Sequence, residues 1–544
     1  MKTMSDDGVW NREADVVVVG SGAAGLSAAL TAVHAGASVL VLERAAQRGG
    51  TTSKSGGGFW IPNNSLMRAA GIEDPKDDAV RLMCRTAYPY LYDPSDATLG
   101  LPRDAYDLIV AFYDNAAPAL DHLVEMGAVQ PELGDTPGYH ADLPEDVVLR
   151  GRGLRSLGTP ARKSDGTGGD LLTARMEARL VELGGEVLLN HRVMGVLRND
   201  LGEVVGVEVH VGRRTELIRA NRAVVFGSGG FLHDRDLRRE YLRGPVFGGC
   251  AAETNTGDFV RIGISLGAQL GNMNNAWWNQ VVLEVALRTP STIRDVWLPF
   301  GDSMIQVNRY GRRAVNEKMP YNERAQVHHQ WNAAAREYSN LLMFMIYDDS
   351  VAQDPMEFGF RIPIPLPDES ADYVIVGQTW EELTARIDER LAGLVTKTGG
   401  VRLDPAFAET LRATIGRWNE MADEGVDHDF HRGETPIQVE WSQTTRGGGK
   451  NPTMHAFRGE GPYYCVILGG GSLDTKGGPR INTLAQVLSV DGSPIPGLYG
   501  AGNCIASPAG QAYWSAGGTI GPALTFGYIA GMNAAKEPDK ISSY

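Results

Sequence analysis

The chain has 544 residues, 43% of them hydrophobic, with 51 basic against 66 acidic side chains and a net charge of -15. That is enough apolar material for a large core in two domains or one elaborated domain, while the acidic balance opposes non-specific attraction to nucleic acid and anionic lipid. Residues 1–13 show no apolar leader core and no apolar run reaches the roughly 18 residues that cross a bilayer, so a cytoplasmic protein without an integral membrane segment is expected. From Asp15 to Val19 the chain is β-branched, as in a strand buried on both faces, and it breaks at Gly20-Ser21-Gly22-Ala23-Ala24-Gly25 into a helical pattern ending near Gly36. Gly20 permits the tight turn, Gly22 lets backbone approach a pyrophosphate, and Gly25 lets the helix pack on the strand. A second strand, residues 38–42, delivers Glu43, 18 positions beyond Gly25, where a carboxylate can accept from a ribose hydroxyl, followed by Arg44. Strand, glycine turn, helix, strand and acid together predict a dinucleotide site.

Residues 48–64, RGGTTSKSGGGFWIPNN, are too rich in glycine and hydroxyls for a regular element and too apolar at their end for a free linker. Backbone N–H groups from Gly50 onward and the hydroxyls of Thr51, Thr52 and Ser55 can cradle phosphate and ring edge, and Gly56, Gly57 and Gly58 leave room for an isoalloxazine; the alternative is a plain surface loop. GSGAAG, the acid and this loop resemble the flavoproteins of the fumarate reductase and succinate dehydrogenase superfamily, and SGGGFWIPNN is most similar to its 3-ketosteroid dehydrogenase branch. The resemblance implies FAD. Members with covalent flavin carry a histidine in this loop, and none lies between Arg44 and Asn64, so the FAD is expected to be non-covalent.

Residues 104–126 have helical periodicity with Gly127 as a stop. Residues 138–144 resemble a tyrosine-bearing loop of the ketosteroid enzymes' steroid site, with Tyr139-His140 where those have adjacent tyrosines; a loop tyrosine covering apolar surface is the alternative. A helix at 171–184 and a strand at 186–193 follow, and Val193 falls where family members touch adenine through backbone. The strand ending at residues 224–230 matches the family's second glycine turn, with Ser228 and Gly229 beside FAD, and Asp258 matches its short acid-bearing turn. From 276 to 454 the composition turns aromatic and charged, with helices expected at 379–394 and 404–424. We read the fold as α/β, a Rossmann-type FAD-binding domain (1–275 and 455–544) interrupted by an inserted α+β substrate-capping domain (276–454). Within the insertion, GRRAVNE resembles the superfamily's GRRxxNE turn, in which Arg313 and Glu317 suit a structural salt bridge, and Tyr321 directly after a proline matches the catalytic tyrosine of ketosteroid dehydrogenases.

Two family features differ: Leu473-Asp474 stands where fumarate reductases usually carry histidine, and Ala456 aligns with their proton-donating arginine, with Arg458 displaced. At the carboxy-terminal end Asn503 can bond the ribityl chain, and Gly517, Gly518, Thr519 and Ile520 open a helix whose positive end favours an anionic reduced flavin. GGTIGPALTFGY resembles the 3-ketosteroid Δ1-dehydrogenase ending, and Tyr513-Trp-Ser-Ala-Gly517 keeps the spacing of its YPGPG, although tyrosine with serine two places on is also similar to Δ4-dehydrogenases. Cys84, Cys250, Cys465 and Cys504 are widely spaced with no CxxC, so buried thiols are expected in place of a metal or disulfide framework.

Desaturation next to a ketone needs a base for the α-proton, donors for the enolate oxygen and an acceptor for the β-hydride. The resemblance assigns these to Tyr321, to Tyr513 OH with the Gly517 N–H, and to flavin N5. A free tyrosine titrates near about 10, so Tyr321 needs help, expected from Tyr139. The expected partner is a small hydrophobic cyclic ketone, steroid or smaller, with the electron acceptor unknown. Two further readings stand beside it: an enoate or enone reductase with Arg458 as proton donor, and an electron-transfer flavoprotein.

Overall fold

A computed structural model describes residues 10–159, 167–292, 295–356, 361–442, 444–446 and 449–540. Residues 1–9, on which the expected lack of a leader largely rests, lie outside the described residues. The chain forms two compact units: Met1–Leu242, Ala251–Trp277 and Asp474–Tyr544 in the first, Arg243–Cys250 and Trp278–Leu473 in the second.

In chain order the first unit supplies β1 (Arg12–Val19), α1 (Ala23–His34), β2 (Val39–Leu42), α2 (Gly50–Lys54), α3 (Arg103–Glu125), α4 (Gly168–Glu182), β3 (Glu186–Leu188), β4 (Arg192–Arg198), β5 (Val204–Val211), β6 (Arg214–Phe226) and α5 (Asp258–Ser265). The next elements are β7 (Ala276–Val282), β8 (Met304–Val307), α6 (Tyr321–Ala325), β9 (Leu342–Asp348), β10 (Val374–Gly377), α7 (Trp380–Gly393), α8 (Phe407–Glu424) and β11 (Tyr463–Thr475), and the chain ends with β12 (Gln486–Leu488), β13 (Pro494–Gly500) and α9 (Ile520–Ala534).

The main sheet of the first unit runs β12-β13-β6-β1-β2-β3, with β5 also on β6 and β4 on β5. Strands β13, β6, β1, β2 and β3 are mutually parallel, Val16 to Val19 pairing with Val39 to Leu42 on one side and Ala223 to Phe226 on the other. Parallel strands covered on both faces need continuous apolar residues, which is why β1 reads VVVV. Against this sheet α1 is buried from Ala23 to Thr31, then Ala32. It meets α9 at backbone distance: a Cβ on Gly527 would stand 2.5 Å from the Ala24 carbonyl oxygen, and one on Gly531 2.4 Å from that of Ala28. Ser27 Oγ donates to the Leu524 carbonyl across the same contact. The approach places the start of α9 beside the turn that opens α1.

The second unit is built on a mixed-length sheet in which β7, β11, β9 and β8 are successive neighbours and β10 pairs with β11. Phe407, Leu411, Ile415 and Trp418, spaced to share one face of α8, join Leu383, Ile387 and Leu391 of α7 over Ile305, Phe344 and Ile346. The sequence reading ends the insertion at residue 454, whereas this unit continues to Leu473 because β11 pairs with β9 and β10 from Tyr463 onward.

Candidate functional site

The first unit holds a cleft over the carboxyl ends of β1, β2 and β6. Its walls include Gly20, Gly22, Ala23 and Ala24 from the first turn, Glu43 and Arg44 after β2, Gly50, Thr51 and Thr52 of α2, Val193, Ser228 and Gly229 after β6, Asp258, Asn503, and Thr519 and Ile520 at the start of α9. Sequence elements hundreds of residues apart thus meet at one switch point of the sheet, where α/β folds place their ligands.

The turn depends on glycine at two points. Gly20 has φ of +100° and its absent Cβ would lie 2.6 Å from the Gly227 carbonyl oxygen, while a Cβ on Gly25 would lie 1.9 Å from that of Gly20. Glu43 is buried; Oε2 accepts from Ser21 N–H (3.1 Å) and Oγ–H (2.7 Å), and Oε1 from Ala45 N–H (2.8 Å). Ser21 Oγ in turn accepts from Gly49 N–H, and Thr52 Oγ1 from Ala23 N–H, which ties α2 to the turn. Arg44 Nη1 donates to Thr254 O (2.8 Å), Thr256 Oγ1 (2.6 Å) and Asp258 (3.0 Å), and Arg192 holds the other Asp258 oxygen at 2.7 Å. Burial pushes the Arg44 pKa down, with Asp258 opposing it.

Not every expected residue lines the cleft. Ser55 closes α2, its Oγ donating to Thr52 O and accepting from Gly57 N–H. Gly57, with φ of +71°, presses against Gly168 and Gly169 at the start of α4, where its Cβ would lie 2.2 Å from the Gly168 carbonyl carbon. A Cβ on Gly58 would face Leu154 O at 3.6 Å and one on Gly56 would meet open space. Gly25 lies under the turn, and Gly518 donates its N–H to Ser515 O. The sequence reading also passed over several lining residues: His191, whose Nδ1–H donates to Leu189 O, Ala523, Phe226 and Asp474. Phe226 and Ala523 are apolar residues within a strand and a helix, which carry no motif, and His191 is a lone loop histidine; Asp474 stood out only as the residue where fumarate reductases carry histidine.

An aromatic group adjoins the cleft through Asn503. Asn503 Oδ1 accepts from Trp277 Nε1–H (2.9 Å), and the Trp277 ring stands edge-on to Tyr513 (5.5 Å, 78°). Tyr139 also stacks on Tyr513 at 6.1 Å and 29°, so the structure brings together two of the expected catalytic residues. His140 Nε2–H donates to the Tyr513 carbonyl (3.1 Å), and Lys476 sets its ammonium 4.2 Å over the Trp277 ring while donating to Ala512 O. Tyr139, Tyr513 and Trp277 are each 3% exposed or less. Gly517, with φ of +87°, accepts at its carbonyl from Trp60 and Gly521 N–H, and a Cβ there would lie 2.6 Å from the Phe59 backbone.

In the second unit Tyr321 is buried at the first residue of α6, behind Pro320, with Trp297 edge-on at 5.3 Å. Arg324, one turn on, donates to Gln280, Val296 O, Trp297 O and Met319 O, which locks α6 to β7 and to the Trp297 segment. Arg313 pairs with Glu317 and Asp427. Arg458 is half-exposed and paired with Asp349 at 3.1 Å.

A glycine turn that admits no side chain, helix α9 pointing its amino end at the cleft, and the buried Thr519 hydroxyl with no partner among the described residues all suit a dinucleotide with a phosphate bridge. Residues 15–520 match the FAD binding domain family. The chain belongs to that family. Its cofactor is FAD. Within the family it is 32% identical to a 4-oxocyclohexanecarboxylate 2-dehydrogenase of Sinomonas cyclohexanicum, over 96% of this chain and 92% of that protein. It is also 32% identical to a 3-oxosteroid 1-dehydrogenase of Mycolicibacterium smegmatis, over 96% and 97%. The crystal structure of 3-ketosteroid delta1-dehydrogenase from Sterolibacterium denitrificans in complex with 1,4-androstadiene-3,17-dione is similar at a TM-score of 0.81 and 25% identity, covering 96% of this chain and 100% of that one. The family members it resembles are thus flavoprotein dehydrogenases. Among the described residues no helix is long and apolar enough to cross a membrane.

Proposed function

We propose that the protein is an FAD-dependent dehydrogenase that introduces a carbon-carbon double bond next to a ring ketone. The observation that carries this reading is the cluster of Tyr139 stacked on Tyr513 with Trp277 edge-on to it, Trp277 donating to Asn503 on the wall of the FAD cleft. Flat aromatic faces suit an alicyclic ring, and phenol and backbone donors suit its carbonyl. The relatives act on a 3-oxosteroid and on 4-oxocyclohexanecarboxylate, as their names state, and both are ring ketones.

In this reading Tyr513 OH and the Gly517 N–H hold the ketone oxygen and stabilise the enolate charge that develops there, a pair of donors each typically worth about 3 to 4 kcal/mol in the transition state. His140 and Trp277 fix the Tyr513 backbone and ring. Tyr321 oxygen accepts the α-proton, and the second unit is the substrate-capping part that carries it. FAD, held non-covalently by the first turn, α2, Asn503 and the start of α9, supplies the two-electron oxidant. The exposed pairing of Arg458 with Asp349 weighs against its service as the proton donor of a reductase.

The test is anaerobic bleaching of the oxidised flavin absorbance on adding 4-androstene-3,17-dione or 4-oxocyclohexanecarboxylate. Rapid bleaching by either supports the reading and selects the ring. If both fail while fumarate reoxidises chemically reduced enzyme, the reading is overturned in favour of the reductase.

A further inference from the structure

Asp474 is 1% exposed and forms part of the FAD cleft wall. Its Oδ2 accepts from Gly230 N–H at 2.9 Å, Asn255 Nδ2 at 2.6 Å and Asn503 Nδ2 at 3.1 Å, and its Oδ1 accepts from Thr475 N–H at 2.8 Å. These four neighbours are donors, so a protonated carboxyl would turn its own hydrogen toward one of them, whereas the carboxylate accepts from all. The chain makes room for this: a Cβ on Gly230 would come within 2.4 Å of Asp474 Oδ1. Burial pulls the other way and raises the pKa to about 6, against these four donors, each of which lowers it.

We propose that Asp474 tunes the cofactor: its buried negative charge on the cleft wall opposes electron uptake by FAD and holds the midpoint potential down. Electrons entering the cofactor meet a fixed like charge in a medium that screens poorly. The charge offsets the amino end of α9, whose positive dipole end lines the same cleft and favours the reduced state. A dehydrogenase that must hand its electrons on is served by this balance. The inference rests on the FAD site and does not depend on which ring ketone is the substrate.

Asp474→Asn removes the charge at nearly constant shape, Asp474→Ser removes it with space to spare, and Asp474→Glu restores it. Midpoint potentials are measured by reductive titration against reference dyes, with FAD content checked by absorbance. The expected result is a potential above wild type in the neutral variants that carry FAD, with Asp474→Glu returning toward the wild-type value. An unchanged potential in an FAD-loaded neutral variant overturns the proposal, whatever its turnover. Should neither neutral variant hold FAD, wild-type protein labelled with 13C-aspartate decides by its reduced-minus-oxidised infrared spectrum. A shifted aspartate carboxylate band supports the proposal, and a spectrum without one overturns it.

Discussion

Glu43 and Tyr513 show how single side chains carry the site. Glu43 closes the Gly20 turn through Ser21 and its own loop through Ala45, so its carboxylate holds the cofactor platform together before any ribose arrives. The spacing from Gly25 marked the residue, but nothing in the spacing showed that both oxygens also serve the protein. Glu43→Ala should therefore weaken FAD binding and lower Tm even without FAD, a double effect read by apoprotein titration and thermal melting. Tyr513→Phe removes one oxyanion donor and should lower kcat by about 10²- to 10³-fold with FAD retained. Normal kcat in that variant would remove Tyr513 from the chemistry. Tyr139 and Tyr513 were marked in sequence only by the resemblance of their segments to those of the ketosteroid enzymes. Trp277 was visible only within the aromatic composition that begins at residue 276, because a ring on a wholly buried strand reads as core until its N–H partner is known.

At the scale of elements, the cofactor unit depends on two helices meeting without side chains between them. Gly527 and Gly531 recur one turn apart, and each sits against a carbonyl of α1. Gly527→Ala would push a methyl within 2.5 Å of the Ala24 oxygen and separate α9 from α1, at a cost of typically 1 to 3 kcal/mol. Because the start of α9 lines the cleft, the same change should also weaken FAD affinity; lowered Tm with unaltered FAD affinity would show the two ends of α9 to be independent. The strands β1 and β2, and the helices expected at 379–394 and 404–424, were legible because periodicity and length announce them; the structure has these helices as α7 and α8. The extent of β11 was not, since a 13-residue strand containing three consecutive glycines, Gly469 to Gly471, reads as two short pieces with a turn.

On the scale of the whole molecule, acid should be the weak side. In the second unit burial opposes the charge on Glu317, but Arg313 and Arg432 outweigh it and hold its pKa below the usual carboxylate range. Burial also lowers His328 to about 4 and His329 to about 3. For all three the unfolded chain binds protons more readily than the folded one. Stability is therefore fully present above the unfolded values, falls below about pH 6.5 as unfolded histidine takes up protons, and falls again below about 4.3 through Glu317. Asp474, raised to about 6, and Asp146, which burial also raises, act in the opposite sense in the acid range. Tm measured from pH 8 to 4 should decline toward acid, and a rise on acidification contradicts this account. Glu317→Gln leaves two buried guanidinium groups short of their partner and should cost about 3 to 5 kcal/mol by denaturant unfolding.

The order of strands in the cofactor sheet also reaches into biosynthesis. β6 waits for β13, and Val224 and its partner Leu498 are separated by the entire second unit. At about 5 to 20 residues per second, a ribosome takes roughly 14 to 55 s to make the stretch between them. Throughout that time β6 lacks its β13 neighbour and α1 lacks α9, so the FAD cleft, whose wall includes Asn503 and the start of α9, is completed only by the last part of the chain to be made.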